Sequence, residues 1–145
     1  MALATHAFLF ASTEDWKSLY NQGVTAMEGD DPSSAAHFFE RAAALRPNDP
    51  KVLFGLASAY FRSGQAQQGM AKVGLLVSVP GVDFNILMST GHLLMNNGRL
   101  EEATETFRRA QKIAPPTHKA RDAPLPAACA IHLRRRTPIR SVAAG

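Results

Sequence analysis

The chain is expected to be all-α, an array of three antiparallel helical hairpins, and three observations lead there. The stretch LFGLASAYFRSGQ, residues 53–65, falls on LMSTGHLLMNNGR, residues 87–99, after a shift of 34, with Leu53 over Leu87, Ala57 over Gly91 and Gly64 over Gly98. Apolar or small residues recur at helical spacing within each stretch. Asp-Pro pairs and Pro or Gly breaks punctuate the chain at intervals that suit helices of three to four turns. A period of this length is that of one helix-turn-helix unit, which buries its apolar face only by stacking on its neighbours.

Residues 1–15 form an apolar arm, MALATHAFLFA at its start, or the remnant of a secretion signal. The segment lacks a basic beginning, and Leu9 is large where a cleavage site needs a small residue. The other reading packs Phe8, Leu9 and Phe10 on the body. Ser12 with Asp15 offers a capping box for the first long helix, which runs from Trp16 through Leu19, Tyr20, Gly23, Ala26 and Met27. Gly29-Asp30-Asp31-Pro32 ends that helix. Asp31 and Pro32 then open a second reaching about Arg46, because an Asp cap accepts free amides and a first-position Pro has none to satisfy. Pro47 closes it. Asp49-Pro50 starts a third helix to Arg62, Ser63-Gly64 turns the chain, and a fourth continues to about Val79 before Pro80-Gly81. Asp83 caps a fifth to Asn96, Asn97-Gly98 turns, and a sixth covers Leu100 to Ile113 ahead of Pro115-Pro116. The units are therefore 16–49, 50–83 and 84–117, followed by a Pro- and Arg-rich basic tail, 118–145. In that tail Pro126 opens a short capping helix through about Arg136 that would bury Ala128, Ile131 and Leu133; the alternative is a disordered basic tail.

Composition narrows the function classes. With 145 residues, 46% hydrophobic and 19% charged, the chain suits one modest domain. No run reaches the roughly 18 apolar residues of a membrane span. Cys129 is the single cysteine, so no internal disulfide or cysteine zinc site can form. The net charge of +4 divides into −2 for residues 1–15, +1 for 16–117 and +5 for 118–145. The body is near neutral, and the arginine cluster of the tail lacks interleaved aromatics for base stacking, so nucleic acid is not an expected partner.

No catalytic residues, cofactor or metal are expected. His6, His37, His92, His118 and His132 are scattered, and His37 with Glu40 lacks the second His four residues along that a helical metal site uses. The glycines sit at helix contacts and turns, with no phosphate-loop Gly-Lys-Ser/Thr sequence. The spacing of Ser, His and Asp singles out no nucleophile. No small-molecule substrate is indicated.

From Trp16 to Thr117 the chain resembles three tetratricopeptide repeats. Leu19, Gly23, Ala26, Ala35, Phe39, Ala42 and Pro47 carry the first; Leu53, Ala57, Tyr60, Gly69, Val73, Leu76 and Gly81 the second; Leu87, Gly91, Leu94, Ala103, Phe107, Ala110 and Pro115 the third. The pattern departs in three places: Trp16 comes three residues early, the first turn glycine is displaced by one, and Gly69, Gly74 and Gly81 weaken the second helix of the middle repeat. Each interior Gly costs about 1 kcal/mol relative to Ala, so that helix is expected to be the most mobile of the middle four.

The resemblance implies a right-handed superhelix whose first helices line a concave groove for an extended peptide or a helix. The partner-binding residues would be Tyr20, Val24 and Met27, then Phe54, Ser58 and Phe61, then Met88, His92 and Met95. Lys17, Asn21, Lys51, Arg62 and Asn85 would form the groove edge. Rows at Tyr20, Phe54, Met88 and at Met27, Phe61, Met95 repeat at 34 residues and would suit apolar anchors of a protein or peptide ligand; the other readings are core packing or cover by the arm. The clamp by which some family members hold acidic chaperone tails is absent, its places being taken by Tyr20, Val24, Gly55, Asn85 and Ser89. The expected function is a non-enzymatic protein-interaction scaffold. The alternatives are a recognition fragment of a longer repeat-bearing enzyme and an envelope or secretion assembly factor. The expected location is cytoplasmic, or periplasmic or secreted if residues 1–11 are a signal remnant. An uncapped last hairpin would self-associate or continue into further repeats.

Overall fold

Three of the helices begin where an aspartate, joined in two of them by a proline, disposes of the amides that a first turn leaves free. In the computed structural model, which describes residues 15–116 and 124–136, α1 spans Trp16–Glu28, α2 Pro32–Leu45, α3 Pro50–Arg62, α4 Ala66–Ser78, α5 Phe84–Asn96, α6 Leu100–Ile113 and α7 Ala127–Arg136. The Asp31 carboxylate accepts from the Ser34 amide at 3.0 Å, Asp49 from Lys51 and Val52 at 2.9 and 3.3 Å, and Asp83 from Ile86 at 2.9 Å. The hydrogen bonds hold the Asp31 carboxyl below the usual carboxylate range. At α1 the capping box does not form: Asp15 is itself the extended N-cap and its side chain makes no capping bond, while Ser12 lies outside the described residues. The arm containing Phe8, Leu9 and Phe10 lies outside them too.

The all-α architecture of three hairpins holds, α1 with α2, α3 with α4 and α5 with α6, and no strand occurs among the described residues. Each tight turn needs one residue in the left-handed region, and these are Asp30, Gly64 and Gly98 with φ of 59°, 80° and 71°. The displaced glycine of the first turn thus leaves an aspartate in the strained place. Arg62 compensates from the end of α3, its guanidinium bonding the Asp30 carboxylate and the Met27 carbonyl.

Glycines in the hairpins receive rings. A Cβ at Gly23 would lie 2.6 Å from the Phe39 ring and one at Gly91 would lie 2.5 Å from the Phe107 ring. In the middle hairpin the corresponding pair is Ala57 and Val73, both buried: the smaller second-helix residue leaves room for a methyl on the first. The volume lost at Val73 is recovered by Phe61, whose ring would be 2.9 Å from a Cβ at Gly69. Gly69 therefore marks a packing exchange, since close-packed interiors conserve volume at each contact. Gly74 has nothing near it and opens on solvent, and Gly81 sits in the following turn at φ 75°.

Tyr60 of α3 is buried, and its hydroxyl donates to the Glu40 carboxylate of α2, joining the first two hairpins. Burial first, and the adjacent Glu40 second, push the phenol up to about 12. A raised phenol favours the folded state while it stays protonated. Stability is expected to fall as pH rises from the ordinary tyrosine value of about 10 towards 12. Glu40→Gln should bring the Tyr60 titration, read from the phenolate ultraviolet band, back towards 10 and shorten that decline.

α2 packs closely on α3, whereas α4 makes few close backbone approaches to α5; the second and third hairpins meet in a cluster of Leu53, Leu76, Val82, Leu87 and Ala110. Beyond the last hairpin, α7 lies on α6. Cys129 is wholly buried with Leu94, Ala103 and Phe107, and Leu125 packs against them. Ala128 and Ile131, expected to face inward, are exposed, Ile131 at 51%. Helical spacing explains the reversal: Cys129, His132, Leu133 and Arg136 share the face turned to α6, and Ile131 stands opposite. α7 thus occupies the surface where an uncapped hairpin would self-associate.

Candidate interaction surface on the first helices

Residues of α1 and α3 meet around an open cavity of about 440 Å³. Tyr20, Val24, Met27, Phe54 and Ser58 line it with Arg62 at the lip, so five of the nine expected groove residues and one edge residue come together there. Glu28, Phe39 and Gly55 complete the lining. Phe39 and Gly55 escaped the sequence reading. The available signal was Gly55 itself, which falls between the polar Asn21 and Ser89 at 34-residue spacing and, lacking Cβ, admits the Phe39 ring.

The walls are apolar and the polar groups are largely committed. The Tyr20 ring meets Phe39 at 5.5 Å between centroids, tilted by 54°. Burial raises the Tyr20 phenol above its ordinary value, with the Asp49 charge adding to it, so the group is neutral and can donate a hydrogen bond. The Ser58 hydroxyl donates back to the Phe54 carbonyl at 2.8 Å. Arg62 is held by Asp30, as described above.

The third level is separate. Met88 and Met95 are half-buried on α5, Met88 in contact with the cluster that also holds Phe54, and the exposed His92 ring stands edge-on to Phe107 at 5.0 Å. Phe61 needs correction as a groove residue. It is 7% exposed and packs with Ala57, Val73, Leu94 and Phe107, because the glycine at 69 draws its ring inward. The edge residues Lys17, Asn21, Lys51 and Asn85 are all exposed. Among the described residues no group of three or more His, Cys, Asp or Glu could hold a metal ion, and no helix is long and apolar enough to cross a membrane.

Stacked hairpins with a small-residue and ring pattern repeating at 34 residues define a class of helical-repeat proteins that present surfaces to other proteins. Two family models, each described as tetratricopeptide repeat, match residues 26–72 and 85–117, together more than half of the chain. The chain belongs to the tetratricopeptide repeat family. Its fold is similar to the solution structure of the first such domain of the human RPAP3 protein, with a TM-score of 0.59, 18% identity, and coverage of 83% of this chain and 87% of that one. A search of curated proteins gives no match. Family membership makes the chain a protein-interaction scaffold in the general sense.

Proposed function

We propose that this scaffold is non-catalytic and holds an extended peptide or a helix of a partner protein, with an apolar anchor seated between α1 and α3. The supporting observation is the cavity itself. Its size falls within the range of about 300–1,000 Å³ common for binding sites, its walls are Tyr20, Val24, Met27, Phe39 and Phe54, and Glu28 and Arg62 stand at its lip. Such a site gains from burying one aliphatic or aromatic side chain, and the charged lip favours a polar backbone leaving it. Met88, His92 and Met95 would extend the contact along α5.

Peptides selected from a random display library on the full chain, with the Phe54→Ser variant as counter-selection, test this. Enriched peptides should share one large apolar residue and bind the variant about tenfold or more weakly by fluorescence anisotropy. Equal binding to both proteins would place the recognition surface elsewhere.

A further inference from the structure

The second helices of the middle and last hairpins hold a further cleft between them, of about 380 Å³. It is open because α4 makes few close backbone approaches to the third hairpin and because Gly74 puts no side chain into the gap. Met70, Val73 and Val77 give it an apolar floor from α4, and Glu101, Glu102 and Glu105 an acidic wall from α6. Two of its charged groups are engaged: Glu101 pairs with Arg136 of α7, and Arg109 is tied to the Val77 carbonyl. Glu102 and Glu105 have no ion-pair partner among the described residues. An occupant that suits this cleft has an aliphatic side chain with a cation beside it.

The outer face of α7 presents that pair. Ala128, Ile131 and Arg135 fall at i, i+3 and i+7 along one side of the helix, all three exposed, Ile131 at 51%. α7 contains no acid and ends in three arginines. Ile131 and Arg135 are about 6 Å apart along the helix axis, close to the roughly 4.5 Å between Glu102 and Glu105 along theirs. Within one molecule the two faces do not meet, because burial of Cys129 against the last hairpin turns Ile131 outward. Both faces flank α6, so a two-fold axis beside that helix lets each of two copies seat its α7 in the cleft of the other, and every contact is made twice.

We propose that the chain forms a two-fold dimer in which Ile131 of each copy enters the α4–α6 cleft of the other, on Met70, Val73 and Val77, with Arg135 between Glu102 and Glu105. α7 then has two roles: its inner face caps the last hairpin, and its outer face joins the copies. The contact uses no residue of the α1–α3 cavity. The dimer therefore carries that cavity twice, which favours a partner with two anchors.

Sedimentation velocity of the full chain from about 1 to 100 µM tests this and should show a monomer passing into a dimer. Arg135→Glu, and separately Glu102→Arg with Glu105→Arg, should each weaken dimerisation by about tenfold or more. An equimolar mixture of those two variants should dimerise again, since one contact then pairs two reversed charges and the other keeps its native charges. Gly74→Leu fills the cleft while raising helix propensity, so it should give a monomer with no loss of thermal stability. Phe54→Ser should dimerise as the parent chain does. A full chain that stays monomeric at about 100 µM would overturn the proposal, leaving the cleft to another occupant. So would a dimer that survives the charge reversals or Gly74→Leu, or a mixture that fails to recover it.

Discussion

A Gly91→Ala chain should be less stable by about 2 kcal/mol, although the exchange gains up to about 1 kcal/mol of helix propensity. The added methyl would stand 2.5 Å from the Phe107 ring, which is 1% exposed and enclosed by Leu94, Ala103 and Cys129. With no free volume to enter, the ring must leave its rotamer or α5 must move from α6. Phe107→Val alone should also destabilise, by about 2–3 kcal/mol, through the cavity it leaves. The double variant recreates the Ala57 and Val73 pair that the middle hairpin uses. Its loss should be smaller than the sum of the two by 1 kcal/mol or more, measured as a double-mutant cycle in urea. Additive losses would mean that methyl and ring do not compete for one space.

The second large effect separates two phenylalanines of one helix. Phe61→Ser should cost about 3–5 kcal/mol, since a buried ring is removed from the interface of the second and third hairpins and a hydroxyl is left without a partner. Phe54→Ser should cost about 1 kcal/mol, because Phe54 is half-buried and lines the open cavity. Helix content and denaturation midpoint report the first loss. Peptide affinity reports the second, with helix content nearly unchanged. The reverse pattern would exchange their roles, making Phe54 the core residue and Phe61 the contact residue.

The α4 sequence illustrates how a residue pattern and its meaning come apart. Gly69, Gly74 and Gly81 read together as a weakened helix. In the structure they have three different causes: a ring at Gly69, an open cleft at Gly74 and a left-handed turn at Gly81. The tail shows the same limit. Pro126 is the residue before α7, but the buried face centres on Cys129 rather than Ile131, because Cys129 is the side chain that packs with Leu94, Ala103 and Phe107 of the last hairpin.

What this sequence determines by itself is periodic and local. A 34-residue spacing of small and apolar residues, Asp caps at 31, 49 and 83, and Pro or Gly at the breaks define six helices and their pairing, because capping and side-chain periodicity act within a few residues. The tertiary structure decides which of two equivalent positions faces solvent. Met27 and Phe61 occupy the same place in successive repeats, yet Met27 lines the cavity and Phe61 is core. The difference lies at residue 69, on another helix, where a missing methyl group creates the space that turns the Phe61 ring inward.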